Sequence, residues 1–192
     1  MDFWRHLSAH YGTVVLKKAE SPLMKACGTG LSLLRLQTRP EFMKRYTTVI
    51  NRRIYLPYAL DEPGSDAALW GRIATAVHEH QHVVQAAEVG FAHFASRYLL
   101  SARSRARWEA EAYATEIELM RWAGRTTRTI ESIVDGLKAY GCDAPARAEA
   151  REELTRFSEA NEPRLEATLV AVPWLIQRLE VLPETTHVEP AQ

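Results

Sequence analysis

The sequence predicts a mostly helical α+β fold, in which a small β-sheet precedes one long central helix. Apolar residues recur at helical spacing through most of the chain. Two short runs rich in β-branched and aromatic residues, 47–50 and 53–56, flank the pair Asn51-Arg52 and indicate strands. The stretch 68–89 contains neither proline nor glycine apart from Gly71, so it can form one long helix.

Composition indicates one globular domain. The chain has 192 residues, of which 46% are hydrophobic and 25% are charged, enough to bury a core. We expect a single domain over residues 1–182, followed by a flexible tail at 183–192. The net charge of +0 provides no field that would attract nucleic acid or an anionic membrane, so neither is a predicted partner. Two cysteines, Cys27 and Cys142, are too few for a disulfide scaffold and indicate reduced thiols.

The expected location follows from the absence of targeting signals. The first residues include no apolar segment of a signal peptide, and no run approaches the 18 apolar residues of a membrane span. We therefore expect a cytoplasmic protein, with export by a route without a cleaved signal, or association with a virion, as alternatives.

The first part of the chain alternates short helices and strands. A helix that ends at Gly12 is predicted first, then a strand at 13–16. Ser21-Pro22 begins another helix, which the glycines of 28–30 interrupt with a turn. The runs 47–50 and 53–56 form a hairpin. Because Pro57 cannot donate to a ladder, the segment 53–57 is predicted to be an edge strand.

The rest of the chain is predicted to be helical. One helix follows Gly90, and the polar stretch 101–107 forms a solvated helix or turn. Further helices are predicted at 108–122, 130–137, 146–160 and 165–181, the last with a break or kink at Pro173.

The central helix carries the motif His-Glu-x-x-His, from His78 to His82. Residues four apart share one face of a helix, so these two imidazoles can bind one metal ion. Glu79 lies about 100° further round the helix, where it can reach a water on the metal without binding the metal itself. Zinc lowers the pKa of such a water to about 7, and a carboxylate can take its proton. The motif therefore predicts a zinc (Zn²⁺) site with Glu79 as general base.

A third protein ligand is expected from the helix 108–122, because catalytic zinc usually has three. That helix offers four carboxylates, and helical periodicity ranks them by their distance from the apolar stripe that includes Trp108 and Trp122. Glu111, which is 29 residues after His82, lies beside this stripe and is the favoured ligand (111 − 82 = 29). The alternatives are Glu116 and Glu109. One of the remaining carboxylates is expected to hydrogen-bond a ligand imidazole.

The other polar side chains near the motif receive no catalytic role. His80 lies inside the motif but points away from both ligand histidines, so it is expected to be a supporting or partly exposed residue. His93, Tyr98 and Tyr113 can equally be packing residues.

The stretch 75–84, Thr-Ala-Val-His-Glu-His-Gln-His-Val-Val, resembles the extended signature of zincin metallopeptidases of the gluzincin type. Together with the preceding 48–57, it resembles the metallopeptidase-like domain of extracellular contractile injection system proteins. The sequence Glu-Ala-Tyr-Ala at 111–114 is similar, more weakly, to the third-ligand motif of ImmA/IrrE-type peptidases, with Tyr113 in place of asparagine.

The resemblance implies a minimal zincin core at about residues 47–122, in which an edge strand binds an extended peptide beside the metal. It further implies a zinc-dependent peptidase that acts on a peptide or protein substrate, with His78, His82 and Glu111 as metal ligands. The alternative is a catalytically silent module with the same fold, acting as a component of a phage-like or injection-system assembly or as a regulatory partner.

Overall fold

The computed structural model describes residues 2–33, 39–159 and 162–180, and it has the predicted mostly helical α+β architecture. In chain order the elements are α1 Asp2–Tyr11, β1 Val14–Lys17, a 3-10 turn Lys18–Glu20, α2 Pro22–Leu33, α3 Arg39–Arg45, β2 Thr48–Ile50, β3 Arg53–Leu56, α4 Asp66–Val89, α5 Phe91–Leu100, α6 Ala102–Trp122, α7 Ile130–Gly136, a 3-10 turn Leu137–Tyr140, α8 Ala144–Ser158 and α9 Glu166–Glu180.

The strands form a three-stranded sheet of order β1-β3-β2. The predicted hairpin is confirmed, since β2 pairs antiparallel with β3 and Asn51 adopts a positive φ of 55° at the turn. The prediction that 53–57 is an edge strand is wrong, because β1 pairs in parallel along the other side of β3. Pro57 is compatible with this central position because the ladder already ends at Leu56.

The sheet lies between two groups of helices. One face, which carries Val15, Val49 and Ile54, packs into a core shared with α1, α4 and α9. The opposite face carries Leu16 and Tyr55, which pack against apolar side chains of α2 and α3. The strands therefore hold α4 from one side only, and the other sides of α4 are covered by helices.

The helix α4 is the centre of the fold. Ser65 caps its first turn by accepting a hydrogen bond from the backbone of Ala68 at 3.3 Å, and Gly90 ends it with a positive φ of 83°. It contacts α1, α5, α6, α9 and β2, so residues 76–86 are buried on all sides. Polar side chains in this stretch must find their partners within the protein.

The helix α6 has two buried faces. It begins at Ala102, six residues before the predicted start, because Ser101 caps it and the polar stretch continues into it. Ala106, Ala110 and Ala114 are fully buried in a core shared with α7 and α8, where their small size permits close helix packing. The other face lies against α4.

Three local predictions differ from the structure. The glycines at 28–30 do not form a turn, since α2 is continuous through them, with Met24 buried against Phe42 and Tyr55. The helix α9 is continuous through Pro173, so of the predicted break or kink the break is excluded, and α3 was not predicted. The tail at 183–192 lies outside the described residues. None of the helices in the described part of the chain has both the length and the apolar character that crossing a bilayer requires.

Candidate metal centre

Two turns of α4 and the first half of α6 bring His78, His82 and Glu109 together. Each of the three side chains offers one ligand atom, and these atoms lie within 4.8 Å of one another. All three residues are buried, with Glu109 only 1% exposed. Within the described residues this is the one group of histidine, cysteine and acidic side chains that can hold a metal ion.

The carboxylate of Glu109 faces both imidazoles. Its Oε2 lies 3.6 Å from Nε2 of His78, and its Oε1 lies 3.4 Å from Nε2 of His82. These separations are long for hydrogen bonds, and each is close to the about 3.3 Å between two ligand atoms of a tetrahedral zinc site with bonds of about 2.0–2.1 Å, but the two histidines face different oxygens of the carboxylate. Oε2 is also buried without a hydrogen-bond partner among the described residues. The three side chains therefore fit a shared cation.

The Nδ1 atoms of the two histidines have different surroundings. Nδ1 of His82 donates to Oε1 of Gln85 at 2.9 Å, and the amide of Gln85 donates in turn to the carbonyl of Trp108 at 3.0 Å. Nδ1 of His78 lies 2.8 Å from Oε1 of Glu116, which is an ion-pair contact without the geometry of a hydrogen bond. A neutral imidazole that carries its proton on Nδ1 has the lone pair of Nε2 on the side of Glu109, and this is the tautomer that binds a metal.

The electrostatics of the cluster favour added positive charge. Burial alone would lower the pKa of His78, but the carboxylates of Glu109 and Glu116 outweigh it and raise this pKa well above its usual range. Burial also opposes protonation of His82, whose pKa Glu109 nevertheless raises. The pKa of Glu109 is lowered despite its burial, because both imidazoles stabilise its ionised form. A buried carboxylate that stays ionised provides an anionic ligand.

Glu79, which is one residue after His78 on α4, is also buried. Burial raises the pKa of its carboxyl group, the positive charges of His78 and His82 lower it, and the anionic Glu109 and Glu116 raise it again. The net direction of the pKa shift is upward.

The third carboxylate of the cluster is Glu109, whereas the sequence favoured Glu111. Glu111 instead accepts a hydrogen bond from the amide of Gln81 at 2.7 Å. The wheel-based ranking failed because it assumed one inward face centred on Trp108, which is only half-buried. The helix α6 packs against both α4 and α8, so Glu109 lies inward as well.

The two other carboxylates of α6 have different partners. Glu116 lies 2.8 Å from Nδ1 of His78 as an ion-pair contact, whereas the expected contact was a hydrogen bond from a carboxylate to an imidazole. Glu118 accepts hydrogen bonds from the backbone of Arg164 and Leu165, each at 3.1 Å, immediately before α9. The seven-residue interval between Glu109 and Glu116 places them on one face of α6, a signal that was present in the sequence.

Three tyrosines surround the cluster on the side of α5 and α6. The hydroxyl of Tyr98 donates to Oε1 of Glu109 at 2.5 Å. The ring of Tyr113 meets the ring of His78 edge to face at 4.6 Å, and its hydroxyl lies 3.4 Å from that of Tyr140. Burial raises the pKa of Tyr98 well above its usual range and Glu109 raises it further, so the phenol remains a donor. Sequence reasoning gave Tyr98 no specific role and missed Gln85, although Gln85 is three residues after His82 on the same helix face.

His80 lies on the opposite side of α4 from the metal ligands. It is 0% exposed, and its Nδ1 donates to the carbonyl of Ala76 at 2.7 Å. Since that places the proton on Nδ1, its Nε2 accepts from the hydroxyl of Thr13 at 3.0 Å. The complete burial of His80 excludes the partly exposed alternative, and both of its ring nitrogens have partners within the protein. His93, the other histidine considered, is exposed.

Comparison with known proteins identifies no relative: the chain matches no family model, no curated protein and no solved structure.

Proposed function

We propose that this protein is a zinc-dependent peptidase. The observation that carries the proposal is the buried group of His78, His82 and Glu109, together with the buried carboxyl group of Glu79, which is one residue after His78 on α4. A site that only stabilised the fold would have no need of a further carboxylate next to its ligands. Zinc suits the donor set of two imidazoles and one carboxylate.

Each residue has a defined part in this proposal. His78, His82 and Glu109 hold the metal, and Gln85 and Glu116 orient the two imidazoles. Bound zinc supplies a Lewis acid that polarises a peptide carbonyl and acidifies a water. Glu79 takes the proton of the attacking water and delivers it to the leaving amine, so that its carboxyl group ends each cycle in its starting state.

The substrate is expected to bind beside β2. Among the described strands, β1 and β2 are the edges of the sheet, so β3 has no free side for an extended peptide. Tyr46, just before β2, packs edge to face on Tyr140 at 6.0 Å, and Tyr140 reaches Tyr113 next to His78. This chain of rings connects β2 to the metal cluster. Peptide substrates with N-methylated backbone amides test the assignment, because strand pairing requires those donors.

The decisive experiment compares the wild type with Glu79→Gln on a broad peptide library. Glutamine retains the size of the side chain but cannot accept the proton, so hydrolysis should fall by about 10²–10⁴-fold. The zinc content, measured by inductively coupled plasma mass spectrometry, should remain at the wild-type level. Loss of zinc from Glu79→Gln would show that Glu79 is a ligand and would contradict its role as base.

A wild-type protein that binds zinc but cleaves no member of the library would contradict the peptidase proposal. The catalytically silent module, held together by its metal and engaged in a larger assembly, would then be the better interpretation.

A further inference from the structure

The helix α5 reaches into the metal centre through a single polar atom, the hydroxyl of Tyr98. This hydroxyl donates to Oε1 of Glu109 at 2.5 Å. We propose that Tyr98 is a positioning residue that orients the Glu109 carboxylate for metal binding. The inference rests on the proposed metal site and adds α5 to the elements that support it.

The hydrogen bond distinguishes the two oxygens of Glu109. An ionised carboxylate only accepts, so a phenol is a suitable partner for it. The bond from Tyr98 engages Oε1 and leaves Oε2, which lies 3.6 Å from Nε2 of His78, without a hydrogen bond. Without this donor, rotation of the carboxylate about its terminal torsion would be opposed only by the imidazoles, because that torsion has a broad energy minimum.

Tyr98 is itself fixed from two directions. Nη1 of Arg105, on α6, donates to the backbone carbonyl of Tyr98 at 2.5 Å, and its Nη2 donates to the carbonyl of Gly141 at 3.3 Å. The ring of Tyr98 stacks on Phe94 with centroids 5.8 Å apart, and Phe94 packs on Trp108 at 4.4 Å. The hydroxyl is therefore presented to Glu109 by a rigid aromatic group, as precise ligand placement requires.

Each of the three ligands then has its own support. Gln85 on α4 hydrogen-bonds His82 and Tyr98 on α5 hydrogen-bonds Glu109, while Glu116 on α6 makes an ion-pair contact with His78. Loss of one such partner typically weakens metal affinity by about 10–100-fold.

Tyr113 provides a matched control. It is also a buried tyrosine beside the cluster, but its hydroxyl contacts the hydroxyl of Tyr140 rather than a ligand carboxylate. Tyr98→Phe and Tyr113→Phe each remove one buried hydroxyl oxygen, and only the first removes a hydrogen bond to Glu109.

The test measures the zinc dissociation constant of the full chain by competition with a chromophoric chelator. Tyr98→Phe should bind zinc about 10–100-fold more weakly than the wild type, whereas Tyr113→Phe should stay within about threefold. The visible absorption of the cobalt-substituted protein should change in Tyr98→Phe and remain unchanged in Tyr113→Phe, because it reports ligand geometry. Circular dichroism of the metal-free proteins checks that both variants are folded.

A double-mutant cycle with Glu109→Ala separates positioning from general destabilisation. If Tyr98 acts through Glu109, Tyr98→Phe should not weaken residual zinc binding further in the Glu109→Ala background. Wild-type affinity in Tyr98→Phe, or an equal loss in both tyrosine variants, would overturn the inference and leave the peptidase proposal standing. Absence of zinc binding by the wild type would overturn both.

Discussion

The two sides of α4 both bury histidine, but they place it in opposite electrostatic environments. On one side, His78 and His82 lie against the carboxylates of Glu109 and Glu116. On the other side, His80 packs against the rings of Trp4 and Tyr11, and its two polar partners are a carbonyl and a hydroxyl. All three imidazoles are inaccessible to solvent, so burial does not separate them.

The neighbouring carboxylates distinguish His78 and His82 from His80, because they determine the direction in which each pKa shifts. Burial lowers the pKa of His80 to about 4, with only partial compensation from the hydrogen bond to Ala76, so this ring is neutral. The pKa values of His78 and His82 are raised instead, because nearby anions outweigh the same desolvation. A buried histidine next to ionised carboxylates attracts a cation, whereas one with neutral partners contributes to packing.

The free lone pairs lead to the same distinction. Both nitrogens of His80 are occupied by hydrogen bonds within the protein. In His82 only Nδ1 has such a partner, and in His78 Nδ1 has an ion-pair contact with Glu116 instead; Nε2 of each ring faces the carboxylate of Glu109 at 3.4–3.6 Å. The His-Glu-x-x-His spacing therefore identifies ligands only when the third residue and the supporting acceptors are in place.

The largest expected effect is the loss of the metal when the histidines on the Glu109 side of α4 are substituted. We expect about one zinc per wild-type chain, and none in the double variant His78→Ala/His82→Ala, because one carboxylate alone cannot hold the ion. Mass spectrometry of the purified proteins after dialysis measures this. Full zinc occupancy in the double variant would place the metal elsewhere and remove the distinction between the two sides.

A smaller effect separates the two candidate carboxylates of α6. Glu109→Gln replaces an anionic ligand by a neutral one and should weaken zinc binding by at least about 10²-fold, more than loss of a supporting partner would. Glu111→Gln is the matched control, since Glu111 contacts Gln81 and is not part of the cluster. It should keep wild-type zinc affinity. The reverse result would restore the ligand set favoured by the sequence.

The sequence predicted the structure best where a single helical or strand periodicity runs through a segment. The long α4, the order of His78, Glu79 and His82 on it, and the β2–β3 hairpin all follow from local spacing. The pairing of β1 with β3 does not, because it joins segments about 40 residues apart in sequence, whose contact depends on the whole fold. That pairing changed β3 from an edge strand to the central one.

The carboxylate that joins the two imidazoles differs from the favoured candidate, Glu111, for a related reason. Helical periodicity finds one apolar stripe, but α6 is buried against α4 and α8 at once, so its polar residues are also inside. Glu109 is buried because α5 supplies Tyr98 and α4 supplies two imidazoles. All of these partners lie on other helices, α5 and α4. No pattern within the sequence of α6 could therefore identify them.

The smallest expected effect on the metal comes from the other side of α4. His80→Ala removes a fully buried ring and two hydrogen bonds, so we expect a loss of about 2–4 kcal/mol in the free energy of unfolding. Zinc affinity should stay within about threefold of the wild type, since His80 contacts none of the ligands through a hydrogen bond. Urea denaturation in the presence of a chelator measures the stability, and chelator competition measures the affinity.

The exposed His93 provides the control, because His93→Ala should change the free energy of unfolding by less than about 0.5 kcal/mol. If His80→Ala instead lost zinc while keeping its stability, the ring would have to act on the metal site through α4, and the two sides of the helix would not be independent. A third outcome is that His80→Ala lowers the zinc affinity and the free energy of unfolding together. In that case the packing of Trp4 and Tyr11 around His80 would be needed to hold α4 in the position that brings His78 and His82 to Glu109.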